Sequence, residues 1–202
     1  MNNFIRVVLF DFGGVIAEEG FYLGLTGLAK KGGLDPIAFF AAVERIIFES
    51  GYLTGKTDEA IFWNTVRRKT AITGTDSELR GEILRRFVIR RAMIAKVDSL
   101  RSSGFLVAML SDQTDWLEEI DRTTSLFRHF DRVFNSFRMH KSKRDASVFL
   151  DVCAALGVKP LETLFVDDNI GHINRAKGQG ITAIHYTGFD EFEKELGEKL
   201  EE

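Results

Sequence analysis

The chain has 202 residues, of which 45% are hydrophobic and 28% are charged, and its formal net charge is −3 at pH 7. This composition is typical of a globular protein with its own core, and it gives no overall attraction to nucleic acid or to an anionic membrane. No apolar stretch approaches the ~18 residues of a membrane span. The single cysteine, Cys153, cannot form an internal disulfide. We therefore expect a cytoplasmic protein that contacts neither nucleic acid nor a membrane.

The hydrophobic pattern begins with a strand at residues 5–10, which is continuously apolar as buried parallel strands are. From residue 18 to residue 91 the pattern changes to helical and shows no convincing strand. The helix starts of this block are marked by Asp35-Pro36, by Thr57 and by a capping box from Thr75 to Glu78. Strands and helices alternate in the remainder, with strands predicted at 105–110, 132–134, 163–166 and 181–186.

This alternation predicts an α/β fold, in which a Rossmann-like parallel sheet carries helices on both faces. The helical block follows the first strand, so it is predicted to be an insertion into the sheet domain. We therefore divide the chain into a core domain of residues 1–17 and 91–202 and an inserted α-helical domain of residues 18–90.

Polar side chains stand at the ends of three predicted strands. Asp11 follows the first strand, Ser111 and Asp112 follow the second, and Asp167 and Asp168 follow the strand at 163–166. Ligands of open parallel sheets bind beyond the carboxyl ends of the strands, so these groups converge on one crevice if the strands are neighbours. Carboxylates that lie close together raise each other's pKa, and a divalent cation removes this penalty. Oxygen ligands of this kind favour Mg²⁺.

This set of groups suggests phosphoryl transfer. A carboxylate can attack phosphorus and form an aspartyl phosphate, which splits one difficult step into two. A metal ion, a lysine and a hydroxyl group would then neutralise the charge on the phosphoryl oxygens. Lys143, which precedes the helix leading into the Asp167 strand, can supply the positive charge, and Lys141 competes with it for this role.

Four short motifs occur in the same order as in the haloacid dehalogenase-like (HAD) hydrolase superfamily, which this chain resembles over nearly its whole length. The motifs are FDFGGV at residues 10–15, LSD at 110–112, KRD at 143–145 with Phe149 after it, and VDDN at 166–169. The spacing to Phe149 selects Lys143 over Lys141 as the lysine of the third motif. The helical insertion of residues 18–90 corresponds to the small α-helical cap of the family.

The resemblance also implies a role for each motif residue. The catalytic residues are expected to be Asp11 as nucleophile, with Ser111 and Lys143. The Mg²⁺ ligands are expected to be Asp11, the carbonyl of Gly13, Asp167 and Asp168. The residues expected to bind the phosphate of the substrate are Gly13, Gly14, Ser111, Asp112 and Lys143.

Gly13 departs from the pattern of the phosphatases in this family. Typical phosphatases of the family carry a second aspartate at this position, which protonates the leaving group and then activates the hydrolytic water, although some members with a similar Asp-x-Gly-x-Val motif resemble phosphatases of sugar phosphates. General acid–base help of this kind is worth ~10²–10⁴-fold in rate. Glu18 and Glu19, at the entry to the helical block, are the nearest substitutes. Our hypothesis is that one of them supplies the proton, and the alternative is that both only solvate a linker.

The expected function is a Mg²⁺-dependent phosphatase of a small phosphorylated metabolite, for example a sugar phosphate, that acts through an aspartyl phosphate on Asp11. Two alternatives stay open. One is a 2-haloacid dehalogenase that uses Asp11 on carbon without a metal. The other is a catalytically weak binding or regulatory protein, because the second acid is missing.

Two further residues accompany the last motif: Asn169 either orients the aspartates or begins the next helix, and His172 is predicted to lie on a helix surface.

Overall fold

The computed structural model describes residues 4–201. Five strands form one sheet in the order β3-β2-β1-β4-β5, and every pair of neighbours is parallel. The strands are β1 (Val7–Phe10), β2 (Leu106–Ser111), β3 (Arg132–Asn135), β4 (Thr163–Asp167) and β5 (Thr182–His185). The predicted α/β fold is therefore confirmed, and the predicted strands differ from the observed ones only at their ends.

Ten α-helices complete the described part of the chain, of which the first four form the predicted helical block. These four are α1 (Gly20–Lys31), α2 (Pro36–Glu49), α3 (Glu59–Thr70) and α4 (Asp76–Leu84). The other six are α5 (Arg91–Ser102), α6 (Trp116–Thr124), α7 (Ser136–Met139), α8 (Ser147–Leu156), α9 (Ile170–Gly178) and α10 (Phe189–Glu201). Among the residues described, none of these helices combines the length and the hydrophobicity that crossing a membrane requires.

Helices cover both faces of the sheet, so its central strand β1 is buried on both sides. Val7 and Leu9 of β1 point to the face on which α8 and α9 pack. Val8 and Phe10 point to the opposite face, which is covered by α5, α6 and α10. A strand with this environment has to be apolar at every position, which is the pattern that the sequence shows.

The helical block leaves and rejoins the sheet domain through two neighbouring segments. The amide of Glu18 donates to the carbonyl of Val88 at 2.9 Å, and the amide of Arg90 donates to the carbonyl of Ile16 at 2.9 Å. Within the block, α1 packs against α2 and α4, and α2 packs against α3. The Tyr52 hydroxyl donates to Asp115 in the core at 2.6 Å, so the block is also held at a second place.

Two of the three predicted helix caps are confirmed. The Asp35 carboxylate accepts from the amide of Ala38, and the capping box at Thr75 is present. The prediction of Thr57 as a cap is wrong by one residue. Asp58 caps α3 by accepting from the amide of Ile61, and the Thr57 hydroxyl donates instead to the carbonyl of Ser50.

Two glycines inside helices of the block are predicted to respond to alanine in opposite ways. A Cβ at Gly24 would lie 2.5 Å from the Cα of Ile83 across the α1–α4 contact, whereas a Cβ at Gly81 would meet nothing within 4 Å. Gly24→Ala should lower the free energy of unfolding by about 1–3 kcal/mol, because the backbones must separate. Gly81→Ala should raise it by about 0.5–1 kcal/mol, because alanine favours the helix. Urea denaturation measures both, and equal effects would contradict the close contact.

Candidate active site

The sheet order places three functional strand ends side by side. β1 lies between β2 and β4, so Asp11, Ser111 and Asp167 stand next to one another at the carboxyl edge of the sheet. They border a cavity of about 620 Å³ between this edge and the helical block. The cavity is lined by six of the predicted site residues, namely Asp11, Gly13, Ser111, Asp112, Lys143 and Asp168. Of the other two, Asp167 is fully buried and contacts Lys143, and Gly14 lies against Asp168.

Lys143 is fully buried between two carboxylates. Its Nζ lies 2.8 Å from Oδ1 of Asp11 and 2.6 Å from Oδ2 of Asp167. Burial alone would lower the pKa of Lys143, but the charges of Asp11, Asp167 and Asp112 raise it, so the side chain stays an ammonium. Lys141 lies outside the site, where it pairs with Asp151. The structure therefore brings Lys143, and not Lys141, to the strand ends.

Asp112 links the loop after β2 to the segment that carries Lys143. Its Oδ1 accepts from the backbone amide of Lys143 at 2.8 Å. Its Oδ2 is buried and has no hydrogen-bond partner among the described residues. Burial raises the pKa of Asp112, and the charge of Lys143 opposes this shift. This hydrogen bond ties the backbone at Lys143 to the loop that follows β2.

Asp11 has one engaged oxygen and one free oxygen. Oδ1 accepts from the amide of Phe12 at 2.7 Å and faces the ammonium of Lys143. Among residues 4–201, no donor forms a hydrogen bond to Oδ2. Burial raises the pKa of Asp11 well above its usual range, and the charges of Asp167 and Asp168 add to the shift against the opposing effect of Lys143.

Asp167 differs from Asp11 because both of its oxygens are engaged. Oδ1 accepts from the amide of Asn169 at 2.7 Å, and Oδ2 contacts Lys143 and Nδ1 of His172, the latter at 3.1 Å. Burial alone would raise the pKa of Asp167, but the positive charge of Lys143 and the contact with His172 hold it below its usual range. His172 is therefore a site residue, and its predicted place on a helix surface is wrong.

The start of α9 explains the arrangement around Asp167. The Asn169 side chain caps this helix by accepting from the amides of Gly171 and His172. Of the two roles that the sequence left open for Asn169, its side chain takes the helix start, while its amide orients Asp167. Because the helix begins here, the side chain of His172 lies one turn above Asp167 and only 14% of it is exposed.

Asp168 lies directly over Gly14. Gly14 has a positive φ of 81°, and a Cβ there would come within 1.9 Å of Oδ2 of Asp168. Only a glycine leaves room for this carboxylate beside β1. Asp168 is more exposed than Asp167 and faces the cavity. The two neighbouring aspartates thus have different environments, one enclosed by donors and one open to the cavity.

The donor set in this crevice suits a hard divalent cation. Carboxylate atoms of Asp11 and Asp167 lie within 4.8 Å of one another and of the His172 ring. The Asp168 carboxylate and the backbone at Gly13 border the same space. Lys143 is shared between Asp11 and Asp167, so this single ammonium does not balance the three carboxylates of Asp11, Asp167 and Asp168. Oxygen ligands of this kind fit Mg²⁺ better than a softer metal ion.

The two glutamates proposed from the sequence point in different directions. The Glu18 carboxylate pairs with Arg90, and both contacts measure 3.1 Å. The hydrogen bond from Arg90 lowers the pKa of Glu18. Glu19 instead lines the cavity, and its Oε2 lies 3.2 Å from the position that a Cβ on Gly13 would take.

The helical block supplies an aromatic wall opposite the strand ends. Arg144 stacks on Phe48 with 3.3 Å between the guanidinium carbon and the ring centre, and it contacts Glu44 at 3.4 Å. The sequence allowed one or two aromatic residues of the helical block to line the cavity but did not indicate which, because the apolar side chains follow ordinary helix periodicity. Those that line the cavity are Phe21, Phe40, Ile47, Phe48, Leu53 and Phe87.

The sequence of residues 5–178 matches the haloacid dehalogenase-like hydrolase family. The chain belongs to this family of hydrolases, as its four motifs indicate. Among curated proteins it is similar to flavin mononucleotide hydrolase 1 of Arabidopsis thaliana, a protein named as chloroplastic. The two are 24% identical over 200 residues, which cover 96% of this chain and 77% of the relative.

Two solved structures illustrate the shared fold. One is a HAD family enzyme from Bacteroides thetaiotaomicron in complex with magnesium and inorganic phosphate, with a TM-score of 0.71, 20% identity and coverage of 89% of this chain and 93% of that chain. The other is L-2-haloacid dehalogenase from Xanthobacter autotrophicus with chloropropionic acid covalently bound. Its TM-score is 0.66, with 18% identity and coverage of 89% and 76%. At these identities the likeness establishes the fold.

Removal of the buried ammonium should destabilise the protein strongly. Lys143→Met leaves the carboxylates of Asp11 and Asp167 buried without a counter-charge, which should lower the free energy of unfolding by about 3–5 kcal/mol near neutral pH. The loss should shrink in acid, where carboxyl groups take up protons. Lys141→Met is the matched control and should unfold like the parent chain. Denaturant unfolding with EDTA measures both, and equal stability of the two variants would contradict the buried pairing.

Glu19 should make stability fall as the pH rises. Burial, with the charge of Asp168, raises its pKa from 4.5 to about 7. Its contribution is fully present below the ordinary pKa and is lost as the pH rises through the folded-state value. Between about pH 4 and about pH 8, the free energy of unfolding of Glu19→Gln should therefore rise by about 3 kcal/mol relative to that of the parent chain. Glu18→Gln should show the opposite trend, because Arg90 lowers that pKa. Urea unfolding with EDTA at both pH values measures this.

Proposed function

We propose that this hydrolase is a Mg²⁺-dependent phosphatase of a small phosphorylated metabolite that forms an aspartyl phosphate on Asp11. The observation that carries the proposal is the asymmetry of Asp11. Its Oδ1 is held by Phe12 and Lys143, and its Oδ2 is free of hydrogen-bond donors in the described part of the chain. A fixed carboxylate with one free oxygen at the edge of a cavity is suited to nucleophilic attack.

The proposed first step transfers the phosphoryl group to Asp11. Oδ2 attacks phosphorus, the bond from phosphorus to the leaving oxygen breaks, and that oxygen takes up a proton. Ser111 borders the cavity at the end of β2 and holds a phosphoryl oxygen, as does the ammonium of Lys143. In the second step a water molecule attacks phosphorus, so that inorganic phosphate and the free Asp11 carboxylate are formed.

We propose that Asp11, the carbonyl of Gly13 and Asp168 hold the Mg²⁺, with Asp167 next to them. The support is the charge balance, because Asp167 is already paired with Lys143 and His172 while Asp168 is open to the cavity. When bound, the ion lowers the repulsion between the carboxylates and an incoming phosphate. The magnesium and phosphate in the Bacteroides enzyme support this proposal.

We also propose that residues 18–90 form a cap domain that encloses the substrate. The block supplies the aromatic wall of the cavity and joins the sheet domain through the adjacent segments at Glu18 and Arg90. A mostly apolar wall opposite a charged floor suits a phosphate ester with a planar or weakly polar organic group. The relative named as a flavin mononucleotide hydrolase makes that ester a rational member of a substrate panel, beside sugar phosphates. The cytoplasmic location stays a prediction.

The test is turnover of p-nitrophenyl phosphate and acetyl phosphate, followed by a panel that contains flavin mononucleotide and sugar phosphates. We expect turnover that requires Mg²⁺, stops with EDTA and falls more than about 10³-fold in Asp11→Asn, because the nucleophile is lost. Asp151→Asn, a surface aspartate paired with Lys141, is the matched control and should retain full activity.

Two results would contradict the proposal. Halide release from a 2-haloacid that persists with EDTA would favour a dehalogenase, which the structural likeness to the Xanthobacter enzyme makes the second candidate. Absence of turnover on the whole panel, with Mg²⁺ binding retained in calorimetry, would favour a binding or regulatory protein.

A further inference from the structure

The proposed reaction needs a proton for the leaving oxygen, and most of the cavity side chains cannot supply it. Lys143 is held between Asp11 and Asp167, and His172 is engaged with Asp167. Glu44 is paired with Arg144 at the outer rim. Proton transfer from Lys143 or His172 would break a contact on which Asp167 depends.

Two of the remaining acids of the cavity also have other contacts. Asp112 accepts from the backbone amide of Lys143 through Oδ1, and its Oδ2 is buried. Asp168 lies over Gly14 and belongs to the proposed cation site. Glu19 remains, and it has no cationic side chain as a partner among the described residues that surround it.

The Glu19 carboxyl lies beside the position that a side chain at residue 13 would take. A Cβ added to Gly13 would meet Oε2 of Glu19 at 3.2 Å and the ring of Phe87 at 3.6 Å. A side chain at residue 13 would therefore project into the space that the Glu19 carboxyl occupies. Glu19 reaches this space from the N-cap of α1, whereas Asp11 reaches the cavity from the end of β1.

The two adjacent glutamates take different positions, and only the carboxyl of Glu19 lies in this space. The Glu18 carboxylate is drawn to Arg90, whose guanidinium also donates to the carbonyls of Gly14 and Val15. Arg90 thereby holds Glu18 against the backbone that follows β1. Glu18 does not line the cavity, and Glu19 does.

We propose that Glu19 is the general acid and base of the reaction, an inference that rests on the proposed phosphatase function. The Glu19 carboxyl gives its proton to the leaving oxygen as the bond to phosphorus breaks, which releases the alcohol and leaves the Glu19 carboxylate. In the second step this carboxylate takes a proton from the attacking water. Glu19 is then protonated again, and Asp11 is released as a carboxylate.

The electrostatic surroundings of Glu19 agree with this role. Burial raises its pKa to about 7, and Asp168 adds to the shift. The charge of Lys143 and the amides of Phe21 and Tyr22 act in the opposite direction. Burial is the larger of the two raising causes and does not depend on whether a cation balances Asp168.

The experiment compares leaving groups of different basicity in Glu19→Gln. An alkoxide needs a proton in order to leave, whereas p-nitrophenolate and acetate leave without one. We therefore expect kcat/KM for the best alkyl phosphate of the panel to fall by about 10²-fold or more. The value for acetyl phosphate should fall less than about 10-fold, because acetate leaves without taking up a proton. Glu18→Gln is the matched control and should leave the ratio of the two values unchanged.

A second variant tests whether the space beside Gly13 is the site of the proton donor. In Glu19→Ala, the added substitution Gly13→Asp places a carboxyl in the vacated space. It should raise alkyl phosphate turnover at least about 10-fold above Glu19→Ala alone, by restoring part of the general acid contribution. Circular dichroism of each variant confirms that the fold is retained.

The outcomes separate this inference from the function on which it rests. Equal losses for both substrates in Glu19→Gln, or no loss for either, would overturn the role of Glu19 while the parent chain still shows that the phosphatase proposal holds. A parent chain that turns over neither substrate would overturn both proposals together.

Discussion

The buried contact of Lys143 with Asp11 and Asp167 is the interaction on which the rest of the site depends. It buries one ammonium and the Asp167 carboxylate completely and leaves only 11% of the Asp11 side chain exposed, and such groups are stable only when each is paired. The contact ties the segment before α8 to the ends of β1 and β4. It also determines which oxygen of Asp11 is free, because Lys143 and the amide of Phe12 both address Oδ1. The orientation of the proposed nucleophile is therefore a consequence of the charge pairing.

The same contact leaves the crevice with an imbalance of charge. Lys143 is shared between Asp11 and Asp167, and one ammonium does not balance these two carboxylates together with that of Asp168, which faces the cavity. A phosphate ester would be repelled by these carboxylates, so the proposed cation has an electrostatic reason to bind there. The positive φ of Gly14 belongs to the same arrangement, because only a residue without a side chain allows the Asp168 carboxylate to approach β1.

Glu19 connects the chemistry of the crevice to the helical block. It stands at the N-cap of α1, one residue after the glutamate that Arg90 holds at the junction of the block with the sheet domain. Any change in the position of α1 relative to β1 would change the distance from Glu19 to Asp11. In the proposed mechanism, the position of the helical block therefore determines whether Glu19 can supply the proton. Gly13 leaves the space that the Glu19 carboxyl occupies.

The sequence by itself determined the α/β fold, the family and the set of acids at the strand ends, because burial on both faces leaves continuous apolar strands and motif spacing survives in the linear chain. It also separated Lys143 from Lys141 by spacing. It did not separate Glu18 from Glu19, Asp58 from Thr57 as a helix cap, or the enclosed Asp167 from the open Asp168, and it misplaced His172. Only the tertiary structure decided these, because neighbouring residues of similar chemistry differ in side-chain direction, and direction is set by partners distant in sequence such as Arg90 and Lys143.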